Sequence, residues 1–170
     1  TKVAAAKPQA IIVWTIGPAG AIIARNAKQA NITTPLFQCH GQPDQTYLNL
    51  AVAAANGTMM PATKLMIASQ LPASDRQYAV LQEFVKGFTA RKIGTIGTHS
   101  GYAWDAIQIV VRALKKAGTN PEKLRDAIEN TRDYVGVSGI YNMSPTDHCG
   151  LKLDSLVMVR VENRKWVYLK

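Results

Sequence analysis

The sequence predicts an α/β protein: a lobe on a doubly wound parallel sheet, the helical part of a second lobe, and a C-terminal antiparallel hairpin. Three observations lead there. Near the N-terminus a strand, a helix and a second strand follow within about thirty residues, the layout of a βαβ unit. Residues 75–130 then carry helical periodicity with little strand between them. Two alternating runs about a polar turn close the chain.

Ala10–Ile16 (AIIVWTI) is a continuous β-branched and aromatic run, read as a strand buried on both faces. Gly17-Pro18 ends it, and Pro18 suits the first turn of a helix reaching about Ala30. Leu36–His40 reads as a second strand, parallel to the first through a right-handed crossover. Gly41-Gln42-Pro43-Asp44 opens a short helix to about Ala54. Thr58–Ala68 is extended and interrupted by Pro61, which suits an edge strand or an interdomain crossing.

Ser74-Asp75-Arg76-Gln77 matches a capping box, with Tyr78, Leu81, Val85 and Phe88 following at helical spacing. The next helix runs from about Ser100 to Ala117, with an inner stripe of Ala103, Ala106, Ile107, Val110 and Leu114 and Gly118 as its stop. Thr119-Asn120-Pro121-Glu122 is a second capping box and leads a helix to about Asn130. Val135–Tyr141 returns to strand character, and Ser144–His148 is a loop. Leu156–Val161 and Trp166–Leu169 form the hairpin, turning at Glu162–Lys165.

Composition narrows the function. At 47% hydrophobic and 18% charged, 170 residues favour a packed globular chain over disorder or a coiled coil. The longest apolar run is too short to cross a bilayer, and the opening residues lack the pattern of a targeting segment. Twenty basic residues against 11 acidic ones give a net charge of +9. The basic residues are scattered, with pairs such as Arg91-Lys92 and Lys115-Lys116 as the tightest groupings, so no nucleic-acid interface is expected. Cys39 and Cys149 are far apart and lack metal spacing; two free thiols are expected, with no metal and no cofactor.

Ligands of open α/β sheets bind beyond the carboxyl ends of the strands, in the loops that open helices. Two such loops follow neighbouring strands here: Thr15-Ile16-Gly17-Pro18-Ala19-Gly20 and Cys39-His40-Gly41-Gln42. Glycines admit a close backbone approach, and helix N-terminal N–H groups favour a carboxylate or phosphate. Gly17 and Gly20 serve equally well in a tight turn and close helix packing. His40 fits a ligand contact, a general base or a hydrogen-bonded loop residue. The dinucleotide fingerprint GxGxxG, the nucleophile elbow GxSxG and the phosphate loop GxxxxGK[ST] are absent, and no carboxylate pair suggests acid–base chemistry. No catalytic residues are assigned.

The run PQAIIVWTIGPAGAIIARNAKQANITTPLFQCHG resembles the second-lobe βαβ unit of type I periplasmic solute-binding proteins of the branched-chain amino-acid transport group. GTMMPATKL, EFVKGFTARK, HSGYAWDAIQIVVRALKKAG and GVSGIYNMSPTDHCGLKLDSLVMVRVENRKWV continue the likeness in order across nearly the whole chain. The resemblance implies a non-enzymatic, two-lobed Venus-flytrap fold, of which this chain is a C-terminal fragment. Residues 1–58 and 145–170 would form the ligand-binding second lobe and 68–140 the helical remainder of the first. Residues 59–67 and 141–144 would be crossing segments.

By the same resemblance the chain is the substrate-binding component of an ABC importer, holding a branched-chain amino acid or related small carboxylate in an interlobe cleft. Its partners would be that ligand and a membrane permease, in the periplasm or, lipid-anchored, outside a Gram-positive cell. Incomplete lobes would favour dimerisation or strand exchange of the fragment. The family's contact loops fall on Thr15, Ile16, Gly17 and Pro18, and on His40 and Gly41. Amino-acid binders of the group place an acidic residue near the second loop for the ammonium; this chain has His40 there, which favours a carboxylate with an apolar or aromatic body and no amine. The alternative is the ligand-sensing domain of a receptor or transcriptional regulator with the same fold.

Overall fold

The computed structural model describes residues 2–169. They fall into two compact units, Thr1–Ala62 with Val157–Lys170, and Thr63–Leu156. In chain order the elements are α1 (Lys2–Ala5), β1 (Ile11–Val13), α2 (Pro18–Gln29), β2 (Leu36–Gln38), α3 (Gln45–Ala51) and β3 (Met59–Thr63). After them come α4 (Tyr78–Arg91), α5 (Thr98–Ala117), α6 (Pro121–Glu129), β4 (Tyr134–Val135), β5 (Ile140–Tyr141), β6 (Leu156–Glu162) and β7 (Lys165–Tyr168). Short 3-10 helices occupy Val52–Ala55, Lys64–Gln70 and Leu153–Ser155.

The first unit is built on a five-stranded sheet in the order β1-β2-β3-β6-β7. β1 and β2 are parallel neighbours, with Ile11 opposite Leu36 and Val13 opposite Gln38, as the βαβ pattern predicts. The strand is shorter than expected and is not buried on both faces. β1 lies at the sheet edge, Ile12 is 72% exposed and Trp14 76% exposed, and residues 14–16 have already left the ladder. Apolar runs report low water affinity, and only the sheet order decides whether a neighbour covers them. Ile22 and Ile23 of α2 are exposed as well.

Of the two expectations for Pro61, the edge strand is not met, because β3 is interior to the sheet; the strand's last residue, Thr63, begins the second unit. Met59 pairs with Phe37 of β2, and Gly57 and Thr58 exchange backbone hydrogen bonds with Val161 of β6. Pro61 stands mid-strand, with β3 running on to Thr63, and contributes no N–H to the sheet at its own position. The core beneath contains Met60, Ala62, Val159, Val161, Tyr47 and Leu48, all essentially inaccessible. The Tyr47 hydroxyl donates to Thr58 Oγ1 at 3.0 Å, and burial pushes the phenol up from its ordinary range. The terminal hairpin turns through Asn163 and Arg164, both at positive φ (50° and 61°), the backbone of a tight primed turn.

In the second unit α4, α5 and α6 accompany the β4–β5 hairpin. Neither expected capping box forms: α4 has no side-chain cap, and α6 is capped by a single Asn. Asp75 accepts from the Gln77 N–H at 2.8 Å and pairs with Lys64 Nζ at 2.7 Å, and α4 starts only at Tyr78. Burial pushes the Asp75 carboxyl up, yet Lys64 and that N–H outweigh it and hold it below its usual range. Asn120 rather than Thr119 caps α6, accepting from the Lys123 N–H at 3.1 Å with Pro121 in the first turn. Val135–Tyr141 is two short strands around a four-residue loop, closed by Gly136 N–H donating to Gly139 O at 2.9 Å.

The expected inner stripe of α5 is the exposed one. Ala103, Ala106, Ile107, Val110 and Leu114 face outward, with Ile107 61% exposed. The buried line is Thr98, Gly101, Asp105, Ile109 and Ala113. Close approach explains the choice. A Cβ on Gly101 would lie 2.9 Å from Leu65 Cδ2 and 3.0 Å from Ser138 Oγ, so the packed face must be small at that point. Asp105 accepts from the N–H groups of Val137 and Ser138 at 2.9 and 2.8 Å and from the Tyr141 hydroxyl at 3.1 Å, holding the 136–139 loop on the helix. Residues 145–156 fold with this unit.

Candidate functional site

The βαβ order puts the β1–α2 loop and the β2–α3 loop side by side at the carboxyl ends of parallel strands. Side chains from the second loop hold the first. The buried Cys39 thiol donates to Thr15 O at 3.0 Å, and the buried Gln42 carboxamide donates through Nε2 to Gly17 O at 2.9 Å. One turn further on, Gln38 Nε2 donates to Gly20 O at 3.2 Å. A Cβ on Gly41 would sit 2.8 Å from Ile16 Cγ2, so the two loops touch at that point.

Each residue predicted for the site has a distinct place. Thr15 is half-buried and offers its carbonyl inward to Cys39. Ile16 and Pro18 are exposed beside it, and Gly41 is half-buried under Ile16. His40 is exposed, with its ring 5.9 Å from that of Trp14. Gly17 is the N-cap of α2 at φ 65° and ψ −148°, a conformation essentially confined to glycine. Nothing lies within 4 Å of a Cβ built there, so Gly17 serves the backbone turn and not close packing. Gly20 has the packing role: its Cβ would meet Gln42 Oε1 at 2.7 Å and Gln38 Oε1 at 3.0 Å.

The N-terminus of α2 has no side-chain cap. Its first-turn N–H groups are therefore free of an internal carboxylate, and the helix dipole adds to their preference for an anion. The exposed surface of the two loops carries the imidazole of His40 and, where β1 ends, the indole of Trp14. The loops are open to solvent rather than sunk in a pit. A cavity of about 320 Å³ in the same unit lies at the other ends of the strands, against Ile11, Thr34, Pro35 and Asn56.

Sequence reasoning placed Cys39 and Gln42 in the second loop without their role in holding the first, and missed Trp14 and Gln38 as parts of this arrangement. Two amides within five residues, at the end of an otherwise apolar strand, were the available signal. Both cysteines are free thiols, Cys39 buried and Cys149 exposed. Among the described residues no three His, Cys, Asp or Glu side chains gather to hold a metal, and no helix is long and apolar enough to cross a membrane.

The family model for periplasmic binding proteins matches residues 1–164. The chain belongs to that family. Among solved structures it is similar to a protein of Rhodopseudomonas palustris strain CGA009, with a TM-score of 0.92 at 24% identity, covering 99% of this chain and 50% of that one. An extracellular ligand-binding receptor from R. palustris HaA2 matches with a TM-score of 0.88 at 26% identity, again over 99% and 50%. The leucine-binding protein LivK of Thermotoga maritima matches at 0.83 and 23%, over 99% of this chain and 46% of its own, a likeness of fold. A comparison with curated proteins yields no match. This periplasmic binding protein chain thus spans about half the length of the structures it resembles, and its mixed α/β fold is half of a type I binding protein.

Proposed function

We propose that this periplasmic binding protein chain is the solute-binding component of an ABC importer, taking a small carboxylate with an apolar or aromatic body and delivering it to a membrane permease. The observation that carries the reading is the clamp of Cys39 and Gln42 on the carbonyls of Thr15 and Gly17. With those carbonyls held inward, the uncapped first turn of α2 presents its N–H groups to a carboxylate. His40 supplies a further polar contact, and Trp14 and Ile16 supply apolar surface for the ligand body. A ligand with a free ammonium finds no acidic side chain among residues 14–18 and 38–42.

In this reading the chain is the second half of a two-lobed protein, held non-enzymatically in the periplasm or outside the cell. Its exposed apolar surfaces support that: the open edge of β1 and the outward stripe of α5 are both faces that an α/β lobe ordinarily covers. The two compact units, Thr1–Ala62 with Val157–Lys170 and Thr63–Leu156, are then parts of different lobes, so that residues 145–156 go with the helical part and not, as the resemblance implied, with the ligand-binding lobe. Thermal-shift and calorimetric titration of the intact gene product tests the assignment. Benzoate, 3-phenylpropionate and 4-methylpentanoate should stabilise it more than leucine or valine do. A preference for the free amino acids would reject the carboxylate reading while leaving the transport role standing.

A further inference from the structure

The second unit contains a cavity of about 420 Å³ between one face of α6 and the loop at residues 143–148. Pro121, Leu124 and Ile128 line the helix side at a spacing that keeps them on one face, and Met143 forms the opposite wall. Ile128 and Met143 pack against the buried cluster of Ile109, Tyr134 and Tyr141, so the floor is continuous with a core.

The loop wall is built as firmly as the floor. Ser144 and Asp147 form a bridge, with Ser144 N–H donating to Asp147 O at 2.8 Å. Asp147 Oδ1 accepts from the N–H groups of Cys149 and Gly150 at 3.1 and 2.9 Å. Met143 is pinned through both backbone groups, its N–H donating to Thr131 O and its carbonyl accepting from Arg132 Nη1.

The polar edge of the cavity is asymmetric. Glu129 is the shielded charge, its side chain 17% exposed, against 66% for Arg125 and 70% for His148. Both of its contacts run through Oε1, from His148 Nε2 at 3.2 Å and Arg125 Nε at 3.9 Å, while the shorter pairing of Arg125 is with Asp126 at 2.7 Å. A guest inside the cavity therefore meets the carboxylate at close range with little screening, and meets the two basic groups where water weakens them.

We propose that this cavity is a binding site for small organic cations, in which an apolar body fills the space between α6 and the 143–148 loop and an ammonium pairs with Glu129. The volume suits a phenyl ring on a short chain, being within the range of about 300–1,000 Å³ usual for small-molecule sites. The site is independent of the β1–α2 loop and does not rest on the carboxylate reading.

Three probes with one body and different heads decide the matter: 3-phenylpropylamine, 3-phenylpropan-1-ol and 3-phenylpropionate, titrated against protein carrying ¹³C-methyl methionine. The Met143 methyl resonance should move saturably, with the amine binding about fivefold more tightly than the alcohol and the acid weakest. Glu129→Gln should bring the amine to the level of the alcohol and leave the alcohol unchanged. Leu124→Trp should fill the cavity and abolish all three shifts, and Gln42→Ala should alter none of them. Equal affinities, preference for the acid, an amine preference that survives Glu129→Gln, or an unmoved Met143 would each overturn the proposal.

Discussion

Gly20 and Gln42 share one space: a Cβ on the glycine would stand 2.7 Å from the carboxamide oxygen of the glutamine. The same carboxamide donates to Gly17 O at 2.9 Å, so it cannot swing aside without releasing the loop. Helix packing and loop geometry in the first unit are thus coupled through one buried side chain.

That coupling separates two glycine substitutions. Gly20→Ala should destabilise by about 1–3 kcal/mol through overpacking. Gly17→Ala should cost about 1–3 kcal/mol through backbone strain alone. Adding Gln42→Ala should recover part of the first loss and none of the second, read as an interaction energy in urea unfolding of the single and double variants.

Gln42→Ala should also weaken binding of the proposed carboxylate ligand about tenfold, by releasing Gly17 O and leaving the loop free to turn. Gln45→Ala, which removes a surface hydrogen bond to Asn49 in α3, should leave affinity unaltered. Calorimetry on both variants checks the contrast, and equal losses would remove Gln42 from its positioning role.

Asp105 makes stability depend on pH in an unusual direction. Burial pushes its carboxyl up from the ordinary value, against the N–H groups of Val137 and Ser138 and the Tyr141 hydroxyl, which pull it down. The folded state then keeps its proton to higher pH than the unfolded state does. The contribution is complete below the ordinary carboxylate range and is lost as pH rises through the raised folded value. The stability advantage of wild type over Asp105→Asn should therefore shrink over the interval in which pH rises from the ordinary carboxylate value of about 4 through the raised folded value. An advantage that grows over that interval would show the carboxyl to be lowered instead.

The two thiols should differ in reactivity. Cys149 is exposed and should react with an iodoacetamide probe within minutes, whereas Cys39 is buried with its thiol on Thr15 O. Mass spectrometry should find a single adduct on the folded chain and two in denaturant. Fast double labelling of folded protein would mean that the two loops separate readily.

Much of this arrangement was legible beforehand. The run IIVWTIGP, followed at helical spacing by a second short strand, specified parallel neighbours and adjacent loops, because a βαβ crossover has one favoured hand. Asp44 as an N-cap and the Asn163-Arg164 turn follow from equally local chemistry. The support of the site was not legible. The pair of amides Gln38 and Gln42 hints at buried polar contacts, but nothing local says that Gln42 reaches back 25 residues to Gly17 O.

Helix α5 shows the same division on a larger scale. Its periodicity, length and glycine stop were present in the residue order, but it carries two rows that could be packed. The row richer in Ile, Val and Leu is exposed, while Gly101, Asp105 and Ile109 are buried. By itself the sequence determined the main helices, the terminal hairpin and the parallel pairing of β1 and β2, since those depend on spacing, turn residues and chirality along a short stretch; it read residues 64–68 as extended where the chain forms a 3-10 helix. Tertiary structure alone decided which apolar face is covered, which amide clamps a loop and which carboxylate is desolvated. Those depend on what lies opposite, and groups that meet across 25 or 33 residues leave no periodic trace.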